Sequence, residues 1–82
     1  MSQPVTADTV RADAARHLGI GQEQLMPGVL LADDLGLDSL AGIELSMSLE
    51  DRYGINITDD ELSEVSTYGD LERLVLAKTG AR

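Results

Sequence analysis

Signals that start and stop helices recur along this chain, and they constrain its fold more than any other feature of the sequence. Thr6 is a suitable N-cap, and apolar residues follow it at a spacing of four from Val10 to Leu18. Gly19 comes next and can end the helix in a left-handed conformation. The pattern predicts a first helix over about residues 7–18.

The second helix is predicted over residues 39–53, between Asp38 as N-cap and Gly54 as the stop. The first two helices are joined by a long connection, residues 19–38, which contains a Pro-Gly turn signal. Loops of this length are uncommon in small domains and are usually functional or disordered. Four leucines are predicted to anchor the loop in the core: Leu25, Leu30, Leu31 and Leu35.

Two further helices complete the chain. Thr58 and Glu61 have the spacing of a capping box, which opens a short third helix that ends at about Val65. Weaker cap signals at Thr67 open a fourth helix that ends at about Lys78. Its inward face is predicted to contain Leu71, Leu74 and Val75. The predicted fold class is all-α, a small antiparallel four-helix bundle of three main helices and one short helix, with a long loop between helices 1 and 2.

A chain of 82 residues has room for one core, so we expect a single domain over residues 1–82, with about 1–5 and 80–82 as flexible ends. The sequence has no cysteine and one histidine, so neither a disulfide bond nor a metal site of the usual ligands is expected to stabilise the fold. Its only aromatic residues are Tyr53 and Tyr68, so we expect stability to come from aliphatic packing, and no metal site.

The net charge of −9 restricts the partners. Such a surface repels nucleic acid phosphates and anionic lipid leaflets, so neither is an expected ligand. No secretion signal and no apolar run of about 20 residues occurs, and we expect a cytoplasmic monomer. The charge either serves solubility or steers docking onto basic partner proteins.

The segment DDLGLDSL, residues 33–40, places Ser39 at the start of the second helix. A nucleophilic serine needs a base, but the one histidine, His17, is in the first helix, and the spacing is not that of a nucleophile elbow. As an acceptor of a phosphoryl group Ser39 is well placed, because free N–H groups at a helix start favour an anion. The alternative is that Ser39 only helps to cap the helix.

The second helix has two apolar stripes on nearly opposite sides. The stripe predicted to face the core consists of Ala41, Leu45, Leu49 and Tyr53. The other stripe is Leu40, Ile43 and Met47, interleaved with Glu44 and Asp51 and flanked by Glu50. An exposed apolar strip among carboxylates predicts a docking surface. The alternative is that Leu40 or Ile43 packs under the long loop and the acids form an ordinary solvated face.

These segments together resemble acyl carrier proteins, from the first helix to Val75. The resemblance rests on LGI after helix 1, DDLGLDSL, EDRYGI at the end of helix 2, TDDEL at the start of helix 3, and ST before helix 4. It implies that a separate phosphopantetheinyl transferase attaches 4′-phosphopantetheine from coenzyme A to Ser39, and that the thiol of this arm holds acyl groups as thioesters. By position, Asp38, Leu40, Glu44 and Met47 match the family's partner-contact region. The implied partners are acyltransferases, ketosynthases and tailoring enzymes with basic docking patches.

Subfamily features favour a non-catalytic carrier of polyketide or related secondary metabolism. LEDRYGI resembles freestanding polyketide carriers, whereas helix 3 also suits fatty-acid carriers; Gly42 and Ser46 are atypical of the latter. Peptidyl carriers usually have histidine or glycine in place of Asp38. The start at Met1 and the short flanks predict a discrete protein. The alternatives are a fatty-acid carrier, a peptidyl carrier, an unmodified acidic adaptor and a small hydrolase that uses Ser39.

Overall fold

The computed structural model describes residues 5–80, and every regular element in that range is helical. The elements are α1 (Ala7–Leu18), a 3₁₀ turn (Gln22–Gln24), α2 (Ser39–Tyr53), α3 (Asp59–Ser63) and α4 (Tyr68–Thr79). This confirms the predicted helical bundle of three main helices and one short helix. The 3₁₀ turn was not predicted, and it adds a short structured piece to the long loop.

The ends of α1 and α2 confirm the sequence prediction. At the start of α1, Thr6 and Thr9 cap each other, with the Thr9 N–H 3.2 Å from the Thr6 hydroxyl. Gly19 and Gly54 end the two helices with φ of 70° and 66°, values that only glycine adopts without strain. Local cap chemistry therefore determines where these two helices begin and end.

Helix α3 ends at Ser63, two residues before the predicted end at Val65. The last turn is tightened there: the Glu64 and Val65 N–H groups donate to carbonyls three residues back, Glu61 at 3.2 Å and Leu62 at 3.0 Å, instead of continuing the α-helical pattern. Beyond this turn, the N–H groups of Ser66 and Thr67 each donate to the Asp70 carboxylate at 3.1 Å as part of the next cap. Helix α4 runs one residue past the predicted Lys78, to Thr79.

The core lies where α1 packs against both α2 and α4. Its buried apolar residues are Val10, Ala14, Ala15, Leu25, Leu45, Leu49, Ile57, Tyr68, Leu71 and Val75. The packing is largely aliphatic, and the one aromatic side chain among these residues is that of Tyr68, which is fully buried. Its hydroxyl donates to the Glu72 carboxylate at 3.0 Å, and burial followed by this bond raises the Tyr68 pKa. The hydrogen bond lets α4 bury a phenol without an unsatisfied polar group.

The long loop is anchored partly as predicted. Leu25 is fully buried, and Leu31 and Leu35 pack against the core. Leu30 is not an anchor, because it is 38% exposed. It forms an isolated antiparallel bridge with Thr67, whereas Leu31 begins the turn of residues 31–35. Of the two adjacent leucines, Leu31 is the one that packs against the core.

The ends expected to be flexible lie largely outside the described residues, namely 1–4 and 81–82. Within the described part, Val5 packs against the core and Gly80 caps α4 with φ of 72°. None of the described helices is both long enough and apolar enough to cross a membrane.

Candidate functional site

Ser39 is exposed and is the first residue of α2. The Asp38 carboxylate accepts the Ala41 N–H at 2.8 Å, and the Asp38 carbonyl accepts the Gly42 N–H at 2.9 Å. Within residues 5–80, the N–H groups of Ser39 and Leu40 have no hydrogen-bond partner, as is usual for the first turn of a helix. Two free donors and the positive end of the helix dipole therefore lie beside the serine hydroxyl, where they favour an oxygen anion.

The surroundings of Ser39 offer no base. His17 is exposed on α1 and lines a separate groove with Asp13, Arg16 and Arg52. The nearest carboxylate in the chain, that of Asp38, is engaged in capping α2. Ser39 is thus accessible to another molecule, and among the described residues its hydroxyl has no hydrogen bond to a base.

An open cavity of about 660 Å³ lies beside Ser39. It is lined by the buried core residues Leu45 and Leu71 and by Gly42 and Ile43 of α2. Other apolar walls come from the loop and the α3 region: Leu30, Leu31, Leu37, Leu62 and Val65. A largely apolar lining of this kind can hold an apolar group out of water.

The two stripes of α2 differ in exposure as predicted. Leu45 and Leu49 are buried, and Ala41 and Tyr53 are half-buried. In the other stripe, Leu40 is 64% exposed, Ile43 42% and Met47 55%. Leu40 and Ile43 therefore do not pack under the loop, and an apolar strip lies open to solvent.

The polar residues of α2 divide into free and engaged side chains. Glu44 and Asp51 are exposed, and neither has a recorded hydrogen bond or ion pair within residues 5–80. Glu50 is different, because its carboxylate accepts the Ile57 N–H at 2.7 Å and so holds the segment before α3. Ser46 is buried and its hydroxyl donates to the Ile43 carbonyl at 2.8 Å. Of the three α2 carboxylates at residues 44, 50 and 51, those of Glu44 and Asp51 are therefore available to a partner.

The far end of α2 is fixed to α1 through Asp13. The Tyr53 hydroxyl donates to this carboxylate, and the Arg16 and Arg52 guanidinium groups lie 3.1 and 3.3 Å from it. Burial, followed by the hydrogen bond to Asp13, raises the pKa of Tyr53 to about 12. These contacts are structural, and they hold α2 while its other end stays exposed.

Helix α3 forms one wall of the cavity and contains no fully buried residue. The Lys78 ammonium nitrogen lies 2.7 Å from the Glu61 carboxylate, which also accepts the Thr58 N–H at 2.9 Å. The bond from Lys78, and after it the Thr58 N–H, lowers the pKa of Glu61 to about 2. The Glu61 carboxylate therefore caps the N-terminus of α3 and also links α3 to the C-terminal turn of α4.

Sequence reasoning missed the loop side of the site. The structure brings Ser39, Ile43 and Leu30 to one cavity, whereas the sequence analysis assigned Leu30 to the core. No local signal separated the two adjacent leucines, because the placement of Leu30 depends on pairing with residues 66–69.

The comparison with known protein families gives one match. Residues 8–75 match the family described as "Phosphopantetheine attachment site". The match runs from the first turn of α1 into α4 and includes Ser39, the cavity and the exposed strip.

Proposed function

The chain belongs to the phosphopantetheine attachment family, and we propose that Ser39 is the residue that carries its 4′-phosphopantetheine arm. Members of this family are non-catalytic carriers with a covalently attached arm, so this chain is a carrier and not an enzyme. The observation that supports Ser39 is its exposed hydroxyl at the start of α2, next to the two free N–H groups.

The residues around Ser39 suit a phosphodiester on its hydroxyl. The Ser39 oxygen would bond to the pantetheine-side phosphorus of coenzyme A, the pyrophosphate bond would break, and adenosine 3′,5′-bisphosphate would leave. The hydroxyl proton would pass to a base of the modifying enzyme. The N–H groups of Ser39 and Leu40 would stabilise the negative phosphate at the helix start. The terminal thiol of the arm supplies the thioester chemistry, since the sequence itself has no cysteine.

The exposed strip is our proposed docking surface for partner enzymes. Carriers of this family act with a phosphopantetheinyl transferase and with synthase enzymes. Leu40, Ile43 and Met47 offer apolar contact, and Glu44 and Asp51 are free carboxylates beside them. Such a surface suits acyltransferases, ketosynthases and tailoring enzymes with basic patches, because opposite charges steer encounter and fix the register. Asp38 would contribute charge while it caps α2.

We further propose that the cargo is a polyketide or related secondary-metabolite intermediate and that the protein works in the cytoplasm. The LEDRYGI segment supports the pathway, and the lack of cysteine fits a reducing compartment. Mass spectrometry of the protein isolated from its native host tests the pathway. Malonyl-derived keto or aromatic acyl groups are expected, and aminoacyl or only saturated fatty acyl groups would contradict it.

Intact-mass spectrometry tests the attachment residue. The purified chain is incubated with coenzyme A and a promiscuous phosphopantetheinyl transferase, and the expected result is a gain of one phosphopantetheinyl group. Ser39→Ala should abolish the gain. The matched control is Ser63→Ala, because Ser63 is also an exposed serine that lines the same cavity. A gain that persists in Ser39→Ala, or no gain on the folded wild type, would refute the proposal.

Charge reversal tests the docking surface. Glu44→Lys should lower kcat/KM for the modification without loss of helix, because the side chain is exposed and unpaired. Glu23→Lys is the matched control, since Glu23 is exposed on the 3₁₀ turn, which packs against α1. Asp38→Lys is less clean because it also removes the α2 cap, at about 1 kcal/mol of stability. Equal slowing by Glu44→Lys and Glu23→Lys would mean that only net charge matters.

A further inference from the structure

We propose that Leu30 extends the docking surface of α2 onto the long loop, as an apolar contact for the transferase that modifies Ser39. The inference rests on the proposed function. Leu30 is 38% exposed, while the next residue, Leu31, packs against the core. Leu30, Ser39 and Ile43 line the same cavity, so the loop leucine borders the same open space as the serine and the start of the apolar strip.

The backbone that presents Leu30 is fixed on both sides. The Leu30 N–H donates to the Asp34 carboxylate at 2.8 Å, and the Leu30 carbonyl accepts the Asp34 N–H at 2.9 Å. The neighbouring residues pair with the start of α4: Leu31 N–H to the Ser66 carbonyl at 3.0 Å, and Tyr68 N–H to the Val29 carbonyl at 2.9 Å. Because this backbone is already held in place, little backbone entropy is lost when a partner covers the side chain.

The charged residues that line the same cavity indicate what kind of partner surface would complement it. Asp33 and Asp38 lie on its lining with Leu30, and both are exposed. A complementary protein surface needs an apolar centre to meet Leu30 and Ile43, with basic side chains around it. A partner surface of this kind is the same one that would dock on α2. The transferase presents such a surface here because it must approach the Ser39 hydroxyl.

Steady-state kinetics of the modification test the role of Leu30. Leu30→Ala is expected to raise the KM for the carrier about fivefold with little change in kcat, because the lost contact supports binding and not chemistry. Leu30→Met, which keeps an apolar side chain of similar size, should restore a KM near that of the wild type. Met26→Ala is the matched control: Met26 is 60% exposed on the same loop but does not line the cavity, so its KM should stay within about twofold.

The outcomes separate this inference from the proposed function. If the wild type is modified at Ser39 and Leu30→Ala has an unchanged KM, the role of Leu30 is refuted while the carrier function stands. Equal effects of Leu30→Ala and Met26→Ala would also refute it. Failure of the wild type to accept the arm would instead refute the attachment residue. Circular dichroism of Leu30→Ala should show the wild-type helix content. A loss of helix would mean that Leu30 supports the core and is not a docking residue.

Discussion

Replacing Gly42 by alanine should stabilise the protein. Gly42 lies inside α2, has no left-handed φ, and a Cβ built on it meets no heavy atom within 4 Å. The added methyl therefore causes no clash, and the Gly42 N–H keeps its 2.9 Å bond to the Asp38 carbonyl. Alanine is favoured over glycine in a helix interior by about 1 kcal/mol, chiefly through the entropy of the unfolded chain.

Gly36 supplies the matched control, because it differs from Gly42 in backbone conformation and not in available space. A Cβ on Gly36 also meets nothing within 4 Å, but its φ is 69°. A left-handed conformation costs an L-residue about 1–2 kcal/mol, which outweighs the entropy gain of alanine in the unfolded state. Gly36→Ala should thus lose about 1 kcal/mol, so the two variants should differ by about 2 kcal/mol.

Urea unfolding followed by circular dichroism at 222 nm measures both free energies. In a thermal scan, a change of 1 kcal/mol in a domain of this size corresponds to a shift of about 4–8 °C in Tm. The free energy of unfolding should rise in Gly42→Ala and fall in Gly36→Ala. Shifts of the same sign would refute the reasoning, because the same added methyl would then act without regard to φ. Since Gly42 lines the cavity, the stabilised variant also shows whether the modification of Ser39 tolerates an added methyl group at this position.

Three further perturbations follow from single contacts. Tyr68→Phe should lose about 1–2 kcal/mol in urea unfolding, because the buried hydroxyl bonds the charged Glu72; an unchanged midpoint would mean that the bond adds nothing. Glu61→Gln tests acid stability. The pKa of Glu61 in the folded protein is about 2 against an ordinary 4.5, so its stabilisation is complete above pH 4.5 and is lost as the pH falls towards 2. Stability of Glu61→Gln should fall less steeply across that window, and parallel curves would contradict the assignment. Gly69→Ala should destabilise the protein by about 1–3 kcal/mol, since its Cβ would lie 2.8 Å from a carbonyl oxygen of the long loop. Wild-type stability of this variant would show that the loop can move away at no cost in free energy.

Local signals in the sequence accounted for most of the helix ends and for the exposed strip. Thr6, Gly19, Asp38 and Gly54 act on neighbours within four residues, so their effect can be derived without knowledge of the fold. The same holds for Ser39, whose place at a helix start depends on its own segment.

The errors concern contacts that are distant in sequence. The placement of Leu30 depends on backbone pairing with residues 66–69, and no periodicity within the loop encodes such pairing. The burial of Tyr68 likewise depends on how the helices pack together. Composition shows that the chain has two tyrosines but cannot tell which of them the core encloses.

The pairing of residues 27–31 with residues 66–69 has a consequence for biosynthesis. The segment that pairs with the loop is synthesised after it, because Ser66 and Gly69 lie 27 and 30 residues beyond Ser39. A chain cut short before residue 66 would keep Ser39 and the cap signals of α2, but it would lack the backbone groups that hold Leu30 beside the cavity. The loop side of the docking surface can therefore form only after the start of α4 has been made.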